Sequence, residues 1–157
     1  EKRAISPWQM AWENGCYYLI AYQDEKEPVG IRHYRVDRMA GITVLDEPRR
    51  GKEQFAGFDL PAYLKKHFNM YGGDEYRVTL RCTADLEPAM RERFGSGPIF
   101  LPEGEEHFHF DVPICVSDQF YGWVCGFGGK VEITAPAKVR EGLQEMTARI
   151  AAAHSGT

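Results

Sequence analysis

The chain has 157 residues, 43% of them hydrophobic and 27% charged, which excludes intrinsic disorder and suits one ordinary domain or two small ones. Its 19 basic and 23 acidic side chains give a formal net charge of -4 at pH 7, which excludes a general attraction for nucleic acid or for anionic membranes. We expect no membrane span, because no apolar run approaches the roughly 18 residues that a span requires.

The first 57 residues carry a strand-rich pattern interrupted by turn residues. Asn14-Gly15 lies between two apolar stretches, and this pair is typical of a tight hairpin because both residues accept a positive φ. The predicted strands cover residues 9–13, 16–22, 31–39 and 42–45. Together they predict a small meander or barrel domain over residues 1–57.

A helical connector follows this domain. Asp59 has the residue type of an N-cap, and apolar residues recur behind it at every fourth position. The pair Gly72-Gly73 ends the pattern. We therefore predict a linker helix within residues 58–74, with an apolar stripe formed by Leu60, Leu64 and Phe68.

Residues 75–157 alternate between strand and helix patterns and hold 8 basic and 12 acidic side chains. Strands are predicted at residues 76–82, 99–101, 107–116 and 131–134. Ser117 has the residue type of an N-cap for the second helix, and Pro136 opens the third. The order βαββαβ with right-handed crossovers predicts a ferredoxin-like split sheet, so the fold class is α+β. The helical stripes are Leu86, Met90 and Phe94, then Phe120, Trp123, Val124 and Phe127, then Val139, Leu143, Met146 and Ile150.

Two groups of side chains in this half have residue types that occur in catalytic or metal sites. His107 and His109 share a strand face, as zinc or copper requires, but without a third ligand a solvated sheet face is the simpler interpretation. Cys115 and Cys125 have apolar neighbours that suppress thiolate formation, so we interpret both as core residues. No nucleophile, base and orienting group come together, and we expect no enzymatic activity and no cofactor. Four cysteines without a Cys-x-x-Cys pair indicate free thiols in the cytoplasm.

Residues 30–52 form the one basic island of the chain, with six basic and three acidic side chains. On a strand, Arg32 and Arg38 would share a face, and Arg35 would lie on the other. One interpretation is surface arginines paired with carboxylates such as Asp37. The other is an anion pocket, because guanidinium groups bind phosphate oxygens bidentately. Stacking surfaces for bases would come from Trp8, Trp12, Tyr17, Tyr18, Tyr22 and Tyr34.

These motifs resemble the WYL domain of bacterial transcriptional regulators, named for a Trp-Tyr-Leu triplet. Tyr17-Tyr18-Leu19 stands at the triplet, with Tyr in place of Trp. The second half resembles the C-terminal extension that often follows WYL domains. The resemblance rests on residues 6–8, 15–22 and 32–39 in the first half and on residues 120–123 and 131–136 in the second.

The resemblance implies an Sm-like or SH3-like barrel that senses an effector, followed by a ferredoxin-like extension used in dimerisation. Family effectors are nucleic-acid-like and include single-stranded DNA. Neither the winged helix-turn-helix that precedes such barrels nor the first barrel strand is present, so a regulatory fragment with a partial barrel is expected. Carried over by position, the ligand-binding residues are Ser6, Tyr18, Arg32, His33, Tyr34, Arg35 and Arg38.

Two hypotheses on function therefore remain open. The first is an effector-binding regulatory module that senses a phosphate-bearing, nucleic-acid-like ligand and affects duplex DNA only through the absent amino-terminal domain. The second is a purely structural homodimerisation module without a ligand. An unpaired strand edge and the Phe/Trp-rich extension both favour a homodimer.

Overall fold

A computed structural model describes residues 2–25 and 27–156 of the chain. The backbone divides into two compact units, Glu1–Leu64 and Lys65–Thr157. Both contain an antiparallel sheet, one of three strands and one of four, so the α+β class predicted from the sequence is confirmed at that level. Within the described residues, no helix is both long and apolar enough to cross a membrane.

The first unit is built on an antiparallel meander of three strands in the order β1-β2-β3. These strands are β1 (Ser6–Glu13), β2 (Cys16–Gln23) and β3 (Gly30–Arg35). Asn14 and Gly15 join β1 to β2 with φ values of 47° and 76°, so the hairpin predicted from this pair is confirmed.

In the first unit, one predicted strand is too long and another is wrong. The predicted strand over residues 31–39 stops at Arg35, and a 3-10 turn, Val36–Arg38, replaces its end. Residues 42–45 form no strand, and Ile42, Val44 and Leu45 are 73%, 93% and 53% exposed. Their sequence has high β-propensity, but no neighbouring strand among the described residues supplies the cross-strand hydrogen bonds that such propensity needs.

The connector helix is α1 (Leu60–Lys66). The backbone N–H of Ala62 donates to Asp59 Oδ1 over 3.1 Å, which confirms Asp59 as the N-cap. The helix ends at Lys66, before Phe68, and Asn69 and Met70 beyond it adopt positive φ values of 51° and 60°.

The sheet of the second unit has the strand order β5-β6-β4-β7, and every neighbouring pair is antiparallel. The strands are β4 (Glu75–Thr83), β5 (Leu101–Glu103), β6 (His107–Cys115) and β7 (Val131–Ala135). Strand β5 lies two residues later than predicted, since only from Leu101 onward does the chain pair with β6.

Three helices accompany this sheet: α2 (Glu87–Phe94), α3 (Asp118–Cys125) and α4 (Ala137–His154). Ser117 caps α3 by accepting a hydrogen bond from the Phe120 N–H over 3.3 Å. In α4 the predicted stripe is buried at its start, and Ile150 is 45% exposed.

The core of the second unit is rich in aromatic side chains. Phe94, Phe110 and Phe120 are each at most 2% exposed, and Trp123 packs against Phe94 and Phe120. The aromatic residues that the sequence suggested for a self-complementary surface therefore belong to the core of one chain.

Candidate functional site

The seven candidate ligand-binding residues do not lie on one face of the first sheet. The register pairs Tyr18 with Arg35, Ile20 with His33 and Ala21 with Arg32. Because faces alternate along a strand, Arg32 and Tyr34 lie on one face, and Arg38 lies in the 3-10 turn beyond β3. The opposite face carries Ser6, Tyr18, His33 and Arg35.

Hydrogen bonds from Arg32 and Tyr34 fix the loop between β2 and β3. Arg32 Nε donates to the Pro28 carbonyl over 2.9 Å, and its Nη2 donates to the Val29 carbonyl over 3.4 Å. The Tyr34 hydroxyl donates to Gln23 Oε1 over 2.6 Å, and Gln23 is 2% exposed. Arg32 is thus a structural arginine as well as a candidate ligand residue. Sequence reasoning missed Gln23, because a glutamine inside a strand gives no signal of burial.

Aromatic side chains cover His33 on the opposite face. His33 Nε2 lies 2.7 Å from the Tyr63 hydroxyl. The ring of Tyr63 packs against Phe58 with centroids 4.8 Å apart, and Phe58 packs against Phe55 at 5.0 Å. Phe55 in turn stacks on Trp8 at 5.3 Å. His33 therefore lies at one end of a series of four packed aromatic rings.

Ser6 is also engaged within the first unit. Its Oγ accepts a hydrogen bond from the Arg50 N–H over 2.8 Å. Gly51 follows with a φ of 79°, and a Cβ there would collide with the Tyr22 ring. A glycine is required at this position, because both the conformation and the space exclude a side chain.

Arg35, Arg38 and Tyr18 lie at the end of β3 or beside it, and Arg38 is the exposed residue among the seven candidates. Arg35 binds Asp37 through two hydrogen bonds, Nε to Oδ1 at 3.1 Å and Nη2 to Oδ2 at 2.7 Å. These bonds raise the pKa of Arg35 and lower the pKa of Asp37, with a smaller lowering from the charge of Arg38. Arg38 is exposed and forms no hydrogen bond or ion pair within the described residues. Arg38 thus adds a second positive charge in the neighbourhood of the Arg35–Asp37 pair, which leaves a local excess of positive charge.

A separate cavity of about 370 Å³ lies beside the exposed segment 42–45. Arg50 Nη1 pairs with Asp24 at 3.2 Å, and its Nη2 pairs with Glu47 at 3.4 Å. The guanidinium of Arg49 lies 4.2 Å from the centre of the Trp8 ring. These arginines belong to the predicted basic island, but neighbouring groups of the first unit already bind them.

The candidate chemistry of the second unit needs one correction. Burial raises the pKa of Cys82 to about 12 and also raises that of Cys115, as expected for core thiols. Cys125, however, is exposed at the end of α3, so its prediction as a core residue is wrong. Residues adjacent in sequence lie on different sides of a helix, so the apolar sequence neighbours of Cys125 do not cover it.

His107 and His109 lie on the open face of the second sheet. His109 Nδ1 is 3.8 Å from Glu103 Oε2. Among residues 2–25 and 27–156, no group of three histidine, cysteine, aspartate or glutamate side chains is arranged to hold a metal ion.

Comparisons with known proteins agree with the division of the chain. The WYL domain family matches residues 1–44, and the WCX domain family matches residues 74–151. No curated protein matches the chain.

Two solved structures resemble the chain over nearly its whole length. The proteasome accessory factor B/C (PafBC) of Arthrobacter aurescens is 20% identical, with a TM-score of 0.46, over 98% of this chain and 23% of that one. A CRISPR Cas-related protein is 18% identical, with a TM-score of 0.49, over 94% of this chain and 42% of that one. The chain thus spans less than half the length of either structure.

Proposed function

The chain carries a WYL domain followed by a WCX domain, and from this premise we propose that it is the effector-binding regulatory portion of a transcriptional regulator. In this role it acts in the cytoplasm and performs no catalysis. Effector binding to the first unit changes duplex DNA binding by a winged helix-turn-helix domain outside these 157 residues.

The proposal extends to the two folds. We infer that β1 to β3 form part of a small Sm-like or SH3-like barrel. We also infer that the second unit is ferredoxin-like, because a βαββαβ chain with right-handed crossovers produces the strand order β5-β6-β4-β7.

The proposed effector is phosphate-bearing and nucleic-acid-like. The observation that carries this proposal is the excess of guanidinium groups around Asp37, where Arg35 is paired and Arg38 is not. A phosphate offers several oxygens, so it can bind Arg38 and compete with the Asp37 carboxylate for Arg35. Tyr18 is paired with Arg35 across the sheet, and its ring supplies the stacking surface for a base in this proposal.

The remaining candidates have supporting roles in this proposal. Arg32 and Tyr34 fix the loop that precedes β3, and Ser6 and His33 fix the segment that covers the opposite face. They position β3, and hence Arg35, for the effector.

Fluorescence anisotropy of a labelled short single-stranded DNA, repeated at several salt concentrations, tests this function. Binding to phosphates should weaken linearly on a log-log plot against salt, with a slope of about 0.7 per phosphate contact. Arg38→Ala should weaken binding about tenfold, as expected for a charged hydrogen bond. Asp37→Asn should strengthen binding, because it removes the competing carboxylate.

The matched control is Arg140→Ala, which removes an exposed arginine from the second unit. If Arg38→Ala binds like Arg140→Ala, the phosphate site is not at Asp37. If binding of the parent chain shows no salt dependence, the ligand is not a polyanion.

A second function, homodimerisation, is favoured by the exposed segment 42–45. We propose that two copies pair antiparallel through this segment. Arg38 precedes the apolar run, and Asp46 and Glu47 follow it, so antiparallel pairing brings opposite charges together, whereas parallel pairing would bring like charges together. Neither Arg38 nor Asp46 has a hydrogen-bond partner within the described part of the chain.

Sedimentation velocity at high micromolar concentration tests the dimer. Val44→Lys should give a monomer without loss of folding, since Val44 is 93% exposed. Ile150→Lys, a change of the same type at an exposed position of α4, should leave the dimer intact. A monomeric parent chain would contradict this proposal and would leave the effector proposal standing.

A further inference from the structure

The second unit has a cleft of about 320 Å³ that plays no part in the proposals above. It lies between the start of β4 and the first half of α4. This volume is at the lower end of the range of about 300–1,000 Å³ that is usual for small-molecule sites. Its polar lining residues are Asp74, Tyr76, Tyr121, Lys138, Glu141 and Glu145.

Tyr121 gives this cleft a hydroxyl that hydrogen-bonds to no other group of the described residues. The residue is 8% exposed, and its hydroxyl forms no hydrogen bond within the described part of the chain. The hydroxyl lies against Gly142, where a Cβ would collide with it, so the glycine makes room for it in the cleft. Among the described residues, every side-chain nitrogen or oxygen atom that is sealed from solvent has a hydrogen-bond partner. Since the Tyr121 hydroxyl has no such partner, it is open to the cleft. A ligand can therefore hydrogen-bond to this hydroxyl in place of water, at a residue that is otherwise buried.

The charges around the cleft favour a cation. Three carboxylates, those of Asp74, Glu141 and Glu145, line it together with one ammonium group, that of Lys138. Lys138 already places an ammonium group against this lining. It hydrogen-bonds to Tyr76, and this bond raises the pKa of Lys138. Its Nζ also lies 5.5 Å from the centre of the Tyr76 ring, within the range of a cation–π contact.

The rest of the lining favours an organic cation over a metal ion. No three carboxylates, histidines or cysteines within the described residues converge closely enough to hold a metal. The aromatic ring of Tyr76 and the side chains of Val116 and Val139 offer apolar contact, which a hydrated metal ion does not use but a carbon chain does.

We propose that this cleft binds a small organic cation with a primary ammonium or guanidinium group. The cation donates a hydrogen bond to the Tyr121 hydroxyl, and Glu141 and Glu145 neutralise its charge. Its carbon chain contacts Val139 and the Tyr76 ring. Because the residues involved belong to the second unit alone, the proposal does not depend on the effector site of the first.

The test is isothermal titration calorimetry of the whole chain with 1,4-diaminobutane at constant ionic strength. We expect saturable binding with one site per chain and none with 1,4-butanediol, which has the same length but no charge. Tyr121→Phe and Glu145→Gln should each weaken binding about tenfold, the loss of one charged hydrogen bond. Lys138→Gln should tighten binding, because it removes the resident ammonium.

Glu92→Gln is the matched control, since it removes an exposed carboxylate of the same unit far from the cleft in sequence. Circular dichroism melts check folding, and Glu145→Gln remains decisive if Tyr121→Phe is destabilised, because Glu145 is exposed. Absence of saturable binding, equal binding of 1,4-butanediol, or equal behaviour of Glu145→Gln and Glu92→Gln would each overturn the proposal.

Discussion

The two sheets of this chain are stabilised by different kinds of interaction. In the second unit one sheet face and the helices share a continuous apolar core that includes Leu80, Phe110 and Phe120. Among the described residues of the first unit, the buried apolar side chains are only Ala11, Ile20 and Ala21. The first sheet relies more on ring contacts and on directional hydrogen bonds, such as those of Arg32 and Tyr34. Apolar burial depends on filled volume, whereas hydrogen bonds depend on distance and angle, so the two units should respond differently to substitution.

The largest expected effect is a cavity in the core of the second unit. Phe110 is 1% exposed and contacts the rings of Phe94 and Phe100. Phe110→Ala should cost about 3–5 kcal/mol, because it removes apolar contacts and leaves a void. Amide hydrogen exchange should accelerate in β4 to β7 and much less in β1 to β3. Equal acceleration in both sheets would show that the two units unfold as one.

In the first unit, removal of the Tyr34 hydroxyl should lower the free energy of unfolding. Tyr34→Phe leaves the buried Gln23 without its 2.6 Å hydrogen bond, which should cost about 1–3 kcal/mol. Thermal melts and amide exchange of β2 and β3 measure the loss. Tyr17→Phe, at a tyrosine that is 52% exposed, should be neutral. If both variants melt like the parent, directional bonds do not stabilise this unit as described.

Each unit has a helix N-cap, so the stability contributed by the same interaction can be compared between the two units. Ser117→Ala and Asp59→Ala each remove a side chain that accepts a hydrogen bond at a helix start, and each should cost about 1 kcal/mol. Ser117→Thr keeps the acceptor and should retain most of the stability. Urea denaturation measures both changes. A Ser117→Thr variant as unstable as Ser117→Ala would show that the cap bond is not the cause.

The smallest expected effects concern acid. A hydrogen bond from Thr79, and then one from Arg77, lowers the pKa of Asp111, whereas Arg35 lowers that of Asp37. Both carboxylates stabilise the folded chain above the ordinary aspartate pKa of 3.8, and this contribution is lost as the pH falls through their lowered values.

Asp111→Asn and Asp37→Asn should therefore each flatten the acid side of the curve of melting temperature against pH slightly, in the second and first units respectively. Glu53→Gln, at an exposed residue without a hydrogen-bond partner in the described part of the chain, serves as the control. A flattening by Glu53→Gln as large as the other two would point to net charge as the cause.

Features set by local chemistry could be predicted from the sequence. The hairpin at Asn14-Gly15 and the caps at Asp59 and Ser117 depend on residues a few positions apart, and all three are confirmed. The strand predicted at residues 42–45 failed because a strand needs a partner that local propensity does not supply. The exposure of Cys125 likewise depends on which side of α3 faces the core.

The candidate site was predictable only in part. The residues of the basic island could be identified, since charge density is visible in sequence. Their division into structural and open arginines could not, because Arg32 bonds to carbonyl groups whose positions depend on the whole loop. The role of the seven residues toward an effector stays a prediction.

The exposed segment 42–45 also bears on aggregation. An unpaired apolar stretch of high β-propensity is a template on which many chains can add in succession. Here Gly41 precedes the stretch, and Asp46, Glu47 and Pro48 follow it. Parallel addition of further chains would bring like charges together, and Pro48 has no N–H to continue the hydrogen-bonded edge. These flanking residues limit strand addition and disfavour fibre growth. Replacing them with apolar residues should turn a limited contact into an open-ended one, which thioflavin T fluorescence would detect.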